Sequence, residues 1–153
     1  MARTPKEVLE AIMDNPTSIE HVSSLVDQDA TYVSLNFENP ELKRIMPWAG
    51  TSRGPEAIVQ TFVDVGRFWK NEAFEVIASF GDDRYAALFG RMTYRSTVLG
   101  KQVTSPFAIY VEAVDGLCRH MQFMEDTFAT ANSFRSGGLW TIQSDPSGDE
   151  IKI

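Results

Sequence analysis

The densest run of ionisable side chains lies in the stretch YVEAVDGLCRHMQFMED, from Tyr110 to Asp126. Glu112, Arg119, His120, Glu125 and Asp126 are residue types that general acid–base chemistry uses: a carboxylate or imidazole moves a proton while a cation or hydroxyl steadies the charge. What they can do depends on how the stretch folds. Asp115-Gly116, with apolar and polar residues alternating on both sides, is the signature of a two-residue hairpin turn. Folded there, Glu112 faces Arg119, Tyr110 faces Met121 and Ala108 faces Phe123. These six share one face of the ribbon, and Val111, His120, Gln122 and Met124 share the other. Glu112 and Arg119 then form an exposed ion pair of small energetic value. Asp126 fits the N-cap of a following helix, with a catalytic base as its other reading. Glu125, at the strand end, is the best remaining candidate for a general base.

The elements that must hold this hairpin can be read from the flanking sequence. Thr4-Pro5-Lys6-Glu7 starts a helix with a capping threonine, a proline suited to the first position and a capping-box acid. Val8, Leu9, Ile12 and Met13 make its apolar face, and a second short helix follows Thr17-Ser18. Asp29 to Leu35 is rich in strand formers. The next stretch, NFENPELKRIMPWAGTSRG, is broken by Pro40, Pro47, Gly50 and Gly54 and is expected to be a long irregular lid or binding loop carrying Met46 and Trp48. A helical pattern returns from Pro55 to Trp69. Four strand-like segments follow (FEVIASFG, YAALFGRMTYRSTV, QVTSPFAIYVEAV and LCRHMQFME), then a short helix over 127–134. The expected architecture is α+β: a curved antiparallel sheet wrapped around N-terminal helices, a cone-shaped (cystatin-like) α+β barrel with a central pocket. Residues 1–136 form the single domain, and 137–153 an acidic, loose tail.

Composition narrows the function classes. The chain has 153 residues and a net charge of −7, with no basic run longer than Lys43-Arg44, which argues against nucleic acid and anionic membranes as partners. Cys118 is the single cysteine, so neither an internal disulfide nor a paired-cysteine zinc site is available. No secretory signal and no membrane-length apolar run is visible, and a cytoplasmic location is the default expectation. Phosphate-binding glycine loops, His-x-x-x-His pairs and Gly-x-Ser-x-Gly turns are absent. No metal and no cofactor is expected. His21 reads as a surface histidine.

Three stretches in this order resemble the nuclear transport factor 2-like superfamily, in its SnoaL-like and ketosteroid isomerase-like branch. They are Asp29-Ala30-Thr31-Tyr32, then Ser52-Arg53-Gly54-Pro55-Glu56-Ala57-Ile58, and Asp115-Gly116 followed by Glu125-Asp126-Thr127. The resemblance covers residues 5–134 and implies the fold, a pocket for a small apolar or aromatic molecule, and a homodimer through the outer face of the sheet. It says less about chemistry, because one fold hosts many activities. The carboxylate base of ketosteroid isomerases falls here on Ser34. The Arg-Asp-Asp set of limonene epoxide hydrolase-like members, aligned back from Gly100 and forward from Gly116, falls on Gly90, Met92 and Phe123. Epoxide hydrolysis by that set is therefore disfavoured. Tyr32 and Ser34 match a tyrosine and an asparagine that position water in that branch.

The resemblance also makes the Phe123 face of the hairpin the pocket face. The pocket would be lined by Ser34, Met46, Trp48, Met92, Tyr94, Tyr110, Met121 and Phe123. Two functions stand side by side. In the first, the protein is an isomerase, cyclase or dehydratase acting on an apolar, oxygen-bearing substrate. Tyr32 and Tyr110 would then donate hydrogen bonds to a developing enolate oxygen, and Glu125 or Asp126 would move the proton. In the second, it is a non-catalytic ligand-binding or dimerisation domain of the same fold.

Overall fold

The computed structural model describes all residues from Met1 to Ile153. Helix α1 (Pro5–Asp14) begins with the capping box its sequence encodes: the Glu7 amide donates to Thr4 Oγ1 at 3.3 Å, and the Thr4 amide donates to Glu7 Oε2 at 2.8 Å. Its apolar stripe of Val8, Leu9 and Ile12 is fully buried against the sheet. Helix α2 (Ile19–Ser23) is capped by Ser18, and His21 within it is held by Nε2 at 2.6 Å from the Ala11 carbonyl oxygen. Helix α4 (Pro55–Phe68) starts where Gly54 takes φ +83, a conformation that only glycine adopts freely.

Six strands form one curved mixed sheet in the order β2-β1-β6-β5-β4-β3. They are β1 (Val26–Ser34), β2 (Gly50–Arg53), β3 (Trp69–Gly81), β4 (Tyr85–Ser96), β5 (Gln102–Val114) and β6 (Leu117–Glu125). The last four make the expected antiparallel meander, whereas β1 pairs with β6 in parallel. That single parallel seam makes the sheet mixed, since both strands run the same way across the helices. The inner face of the sheet and the helices enclose one apolar core. Its closest approach is at Gly90, where a side chain would run into the Glu75 carbonyl oxygen and the Phe107 ring.

Two expectations are corrected. First, the hairpin turn is as read, with Asp115 and Gly116 both at positive φ, but its register slips by one residue. Val114 pairs with Leu117 and Ala113 with Cys118, after which Glu112 pairs with His120, leaving Arg119 unopposed in a bulge. Strand β1 is irregular between Val26 and Thr31, and Arg119 bonds Asp27 from that stretch, tying one irregularity to the other. Glu112 bonds Arg84 instead of Arg119, at 2.5 Å.

Second, residues 36–54 are not an irregular lid. They contain helix α3 (Pro40–Ile45) and strand β2. Pro40, read as a breaker, sits in the first turn, where its missing N–H is no loss, and Asn39 caps by accepting from the Leu42 amide at 2.9 Å. Beyond helix α5 (Thr127–Asn132) the chain carries two further short strands. Strands β7 (Thr141–Ile142) and β8 (Ile151–Lys152) pair as a small ribbon, and Trp140 packs edge-on against Phe128 at 5.2 Å.

Candidate functional site

The bulge at Arg119 decides which side chains enter the cone. On β5 the inward set becomes Phe107, Ile109 and Val111, all buried, while Tyr110 turns to the outer face. There it stacks on Tyr85 at 6.0 Å and tilts against His120. On β6, by contrast, Met121, Phe123 and Glu125 keep the inward parity. Glu125 thereby reaches a cavity between the sheet and α4.

The cavity is built in layers. Its floor is polar: Tyr32 and Ser34, two residues apart on β1, face inward with Thr61 from α4 opposite. Its walls are aromatic. Trp69, whose indole N–H donates to Ser133 Oγ at 2.8 Å, stacks on Tyr94 and meets Trp48 edge-on. Phe123 stacks on Phe107 and meets Phe62 edge-on. Met92 completes the wall. Glu125, Leu35, Phe62 and Val65 are the lining residues that keep partial exposure, so they mark the mouth. The free space amounts to about 20 Å³, room for roughly one water.

Two polar atoms in this space lack partners. The Tyr32 hydroxyl and Glu125 Oε2 are both buried, and neither makes a hydrogen bond. Leaving such groups unpaired costs about 1–3 kcal/mol each, so an arrangement that keeps two of them around one cavity is poised to meet a ligand or water. Burial also sets their protonation. It pushes the Glu125 carboxyl up to about 7; a Thr130 hydroxyl beside it works the other way, and the Asp126 charge adds to the rise. Burial likewise raises Tyr32 and Tyr94, so both are neutral hydrogen-bond donors at physiological pH. Ser34 and Thr61 lie near the Tyr32 hydroxyl and moderate its rise, although neither bonds it in ordinary geometry. The site thus combines a carboxyl balanced between its two forms with neutral hydroxyl donors.

Of the residues singled out by sequence, Tyr32, Ser34, Trp48, Met92, Tyr94, Phe123 and Glu125 line the cavity together. Met46 and Met121 are fully buried but outside the lining, and Thr130 Oγ1 lies 3.9 Å from the Met46 sulfur. Asp126 is the N-cap of α5, accepting from the Ala129 amide at 3.1 Å, and its own amide donates to Ser105 Oγ. Sequence reasoning missed Leu35, Thr61, Phe62, Val65 and Trp69 as lining residues. Thr61, Phe62 and Val65 share the inner side of α4, so the helical periodicity of Pro55 to Phe68 held that signal. Trp69 lies one position past that helix. The structure brings no three His, Cys, Asp or Glu side chains together as a metal site would require. No helix is long and apolar enough to cross a membrane.

No protein-family model matches the chain. Its fold is nevertheless the NTF2-like α+β fold, the one described for SnoaL-like and ketosteroid isomerase-like proteins. An NTF2-like protein of Burkholderia thailandensis superposes with a TM-score of 0.73 at 18% identity, covering 87% of this chain and 98% of that one. A Jannaschia protein described as a SnoaL-like polyketide cyclase gives 0.70 at 12% identity, covering 90% and 99%. TerC, co-crystallised with polyporic acid, gives 0.69 at 20% identity, covering 87% and 100%. Sequence similarity then narrows the family. The chain is 40% identical over 140 residues to patulin biosynthesis cluster protein F of Penicillium expansum, spanning 88% of this chain and 70% of that protein. It is 39% identical over 152 residues to patulin synthesis protein F of Aspergillus clavatus, spanning 95% and 77%. The chain belongs to the patulin cluster protein F family.

Proposed function

We propose that the protein catalyses a proton-transfer reaction, of isomerase, cyclase or dehydratase type, on a small oxygen-bearing secondary metabolite. Glu125 is the group that moves the proton, and Tyr32 and Tyr94 hold the substrate oxygen. The observation that carries this reading is the pair of unpartnered buried atoms, Glu125 Oε2 and the Tyr32 hydroxyl, in one aromatic-walled cavity. In the step it supports, Glu125 carboxylate takes a proton from carbon beside a carbonyl, and the electron pair moves onto the carbonyl oxygen. That oxygen accepts hydrogen bonds from the tyrosyl hydroxyls. The proton then returns to a different carbon, or a hydroxyl leaves with it as water. Each of these outcomes is redox-neutral. A carboxyl titrating at about 7 is suited to both halves of such a transfer. Kinship to proteins named for patulin synthesis, and the polyporic acid co-crystallised with TerC on the same fold, favour a small oxygenated substrate.

The test uses small cyclic enones and hydroxy-enones in D₂O, followed by NMR for deuterium entering beside the carbonyl. The protein is expected to catalyse this exchange, and Glu125→Gln to slow it about 100-fold or more. Equal exchange by Glu125→Gln would overturn the role of Glu125. A second reading, a non-catalytic binding domain, is favoured by Ser34 standing where a strand-one carboxylate base would be and by Gly90, Met92 and Phe123 standing where an Arg-Asp-Asp set would be. Saturable binding of the same compounds without exchange would establish that reading instead.

We further propose a homodimer through the outer face of the sheet. Phe80 and Phe89 stack there at 5.8 Å and stay exposed, with Tyr85 and Met124 on the same face.

A further inference from the structure

We infer that Leu35 is the residue that closes the cavity over Glu125 and limits the size of what enters it, its side chain held across the mouth by a strained turn at the end of β1. This rests on the reading of the Glu125 cavity as the functional site. Leu35 has φ +66, one of two non-glycine residues in the chain with positive φ. The other, Asp115, belongs to a turn type that demands it, and aspartate tolerates that region better than leucine does. At Leu35 the Asn36 amide donates to the Ser34 carbonyl oxygen at 2.7 Å, closing a three-residue γ-turn of the rarer, strained hand. The Leu35 amide is anchored separately, donating to the Phe123 carbonyl oxygen at 2.9 Å.

Glycine would occupy this position without steric penalty, so a leucine kept there requires a reason in its side chain. The side chain lines the cavity and packs against the core while keeping partial exposure, as a plug does. The other apolar residues of the mouth, Phe62 and Val65, sit on the regular helix α4 and carry no such strain. Relaxing φ at Leu35 to negative values removes the strain and swings the side chain away. Opening therefore recovers backbone energy stored in the closed form, which suits a cavity that has room for about one water when shut and must widen for a substrate.

The experiment compares Leu35→Ala, Leu35→Gly and Leu35→Met in a Trp140→Phe background, where the remaining tryptophans, Trp48 and Trp69, both line the cavity. Acrylamide quenching of their fluorescence is expected to rise about threefold or more in the Ala and Gly variants and to return to the parent level in Leu35→Met. Leu35→Gly is expected to have the higher denaturation midpoint of the two truncations, because it alone loses the strain. Titration of Glu125, followed by ¹³C NMR, is expected to move from about 7 towards the ordinary 4.5 as water enters. Unchanged quenching in both truncations, or a Leu35→Gly protein less stable than Leu35→Ala, would overturn the proposal. Should quenching rise while the parent Glu125 already titrates near 4.5, Leu35 is the closure and the proton-transfer reading of Glu125 falls. If one truncation fails to fold, quenching in the other against Leu35→Met still decides.

Discussion

Glu125 couples the site to the stability of the whole domain. Its carboxyl titrates at about 7 in the folded protein and at the ordinary 4.5 when unfolded. Between these values the unfolded chain has released a proton that the native one keeps. As far as this group is concerned, stability is therefore highest below pH 4.5, falls as pH rises to about 7, and is level above. The loss amounts to about 3 kcal/mol at full effect, since each tenfold difference in proton affinity between the two states corresponds to about 1.4 kcal/mol. Urea denaturation at pH 5 and pH 8 is expected to show this decline in the parent protein and to show it flattened in Glu125→Gln. A slope identical in both would mean that another group carries it. Sequence could nominate Glu125, because its parity with Phe123 is a matter of counting along one strand. The unpartnered oxygen could not be foreseen, since burial at a strand end depends on how closely α4 and α5 approach.

Individual elements were legible where their signals are local. The capping box of Thr4 and Glu7, the turn at Asp115-Gly116 and the ends of β5 and β6 all follow from short patterns. What escaped was the bulge at Arg119, whose side chain bonds an aspartate on another strand, Asp27; the bulge moved Tyr110 from the expected pocket face to the outside. The same limit applies to residues 36–54, where β2 exists because β1 is there to pair with it. Gly90 makes an element-level test. Phe107 stacks on Phe74 at 4.4 Å and on Phe123 at 5.7 Å, a ladder reaching from β3 to the cavity wall, and it passes over the glycine. Gly90→Ala is expected to lower stability by about 1–3 kcal/mol, because an overpacked core must shift ring and backbone together. An unchanged denaturation midpoint would show that the ladder moves freely.

At the scale of the molecule, exposed Phe80, Phe89 and Met124 make an apolar outer face on a chain of net charge −7. Sedimentation of the protein is expected to give a dimer, and Phe89→Glu a monomer, because a carboxylate there would be stripped of water at the interface. A parent protein that stays monomeric at every concentration would remove the dimer. The parallel seam between β1 and β6 has a further consequence, in the order of events during synthesis. Thr31 lies opposite His120, so β1 must wait for β6, roughly ninety residues later, and closing so long a loop slows folding. Tyr32 lies on one side of that seam and Glu125 at the far end of the other strand, so a chain that stops short of β6 lacks the site. The cavity is assembled only once β6 has been made, and a nascent chain can meet its ligands only after that.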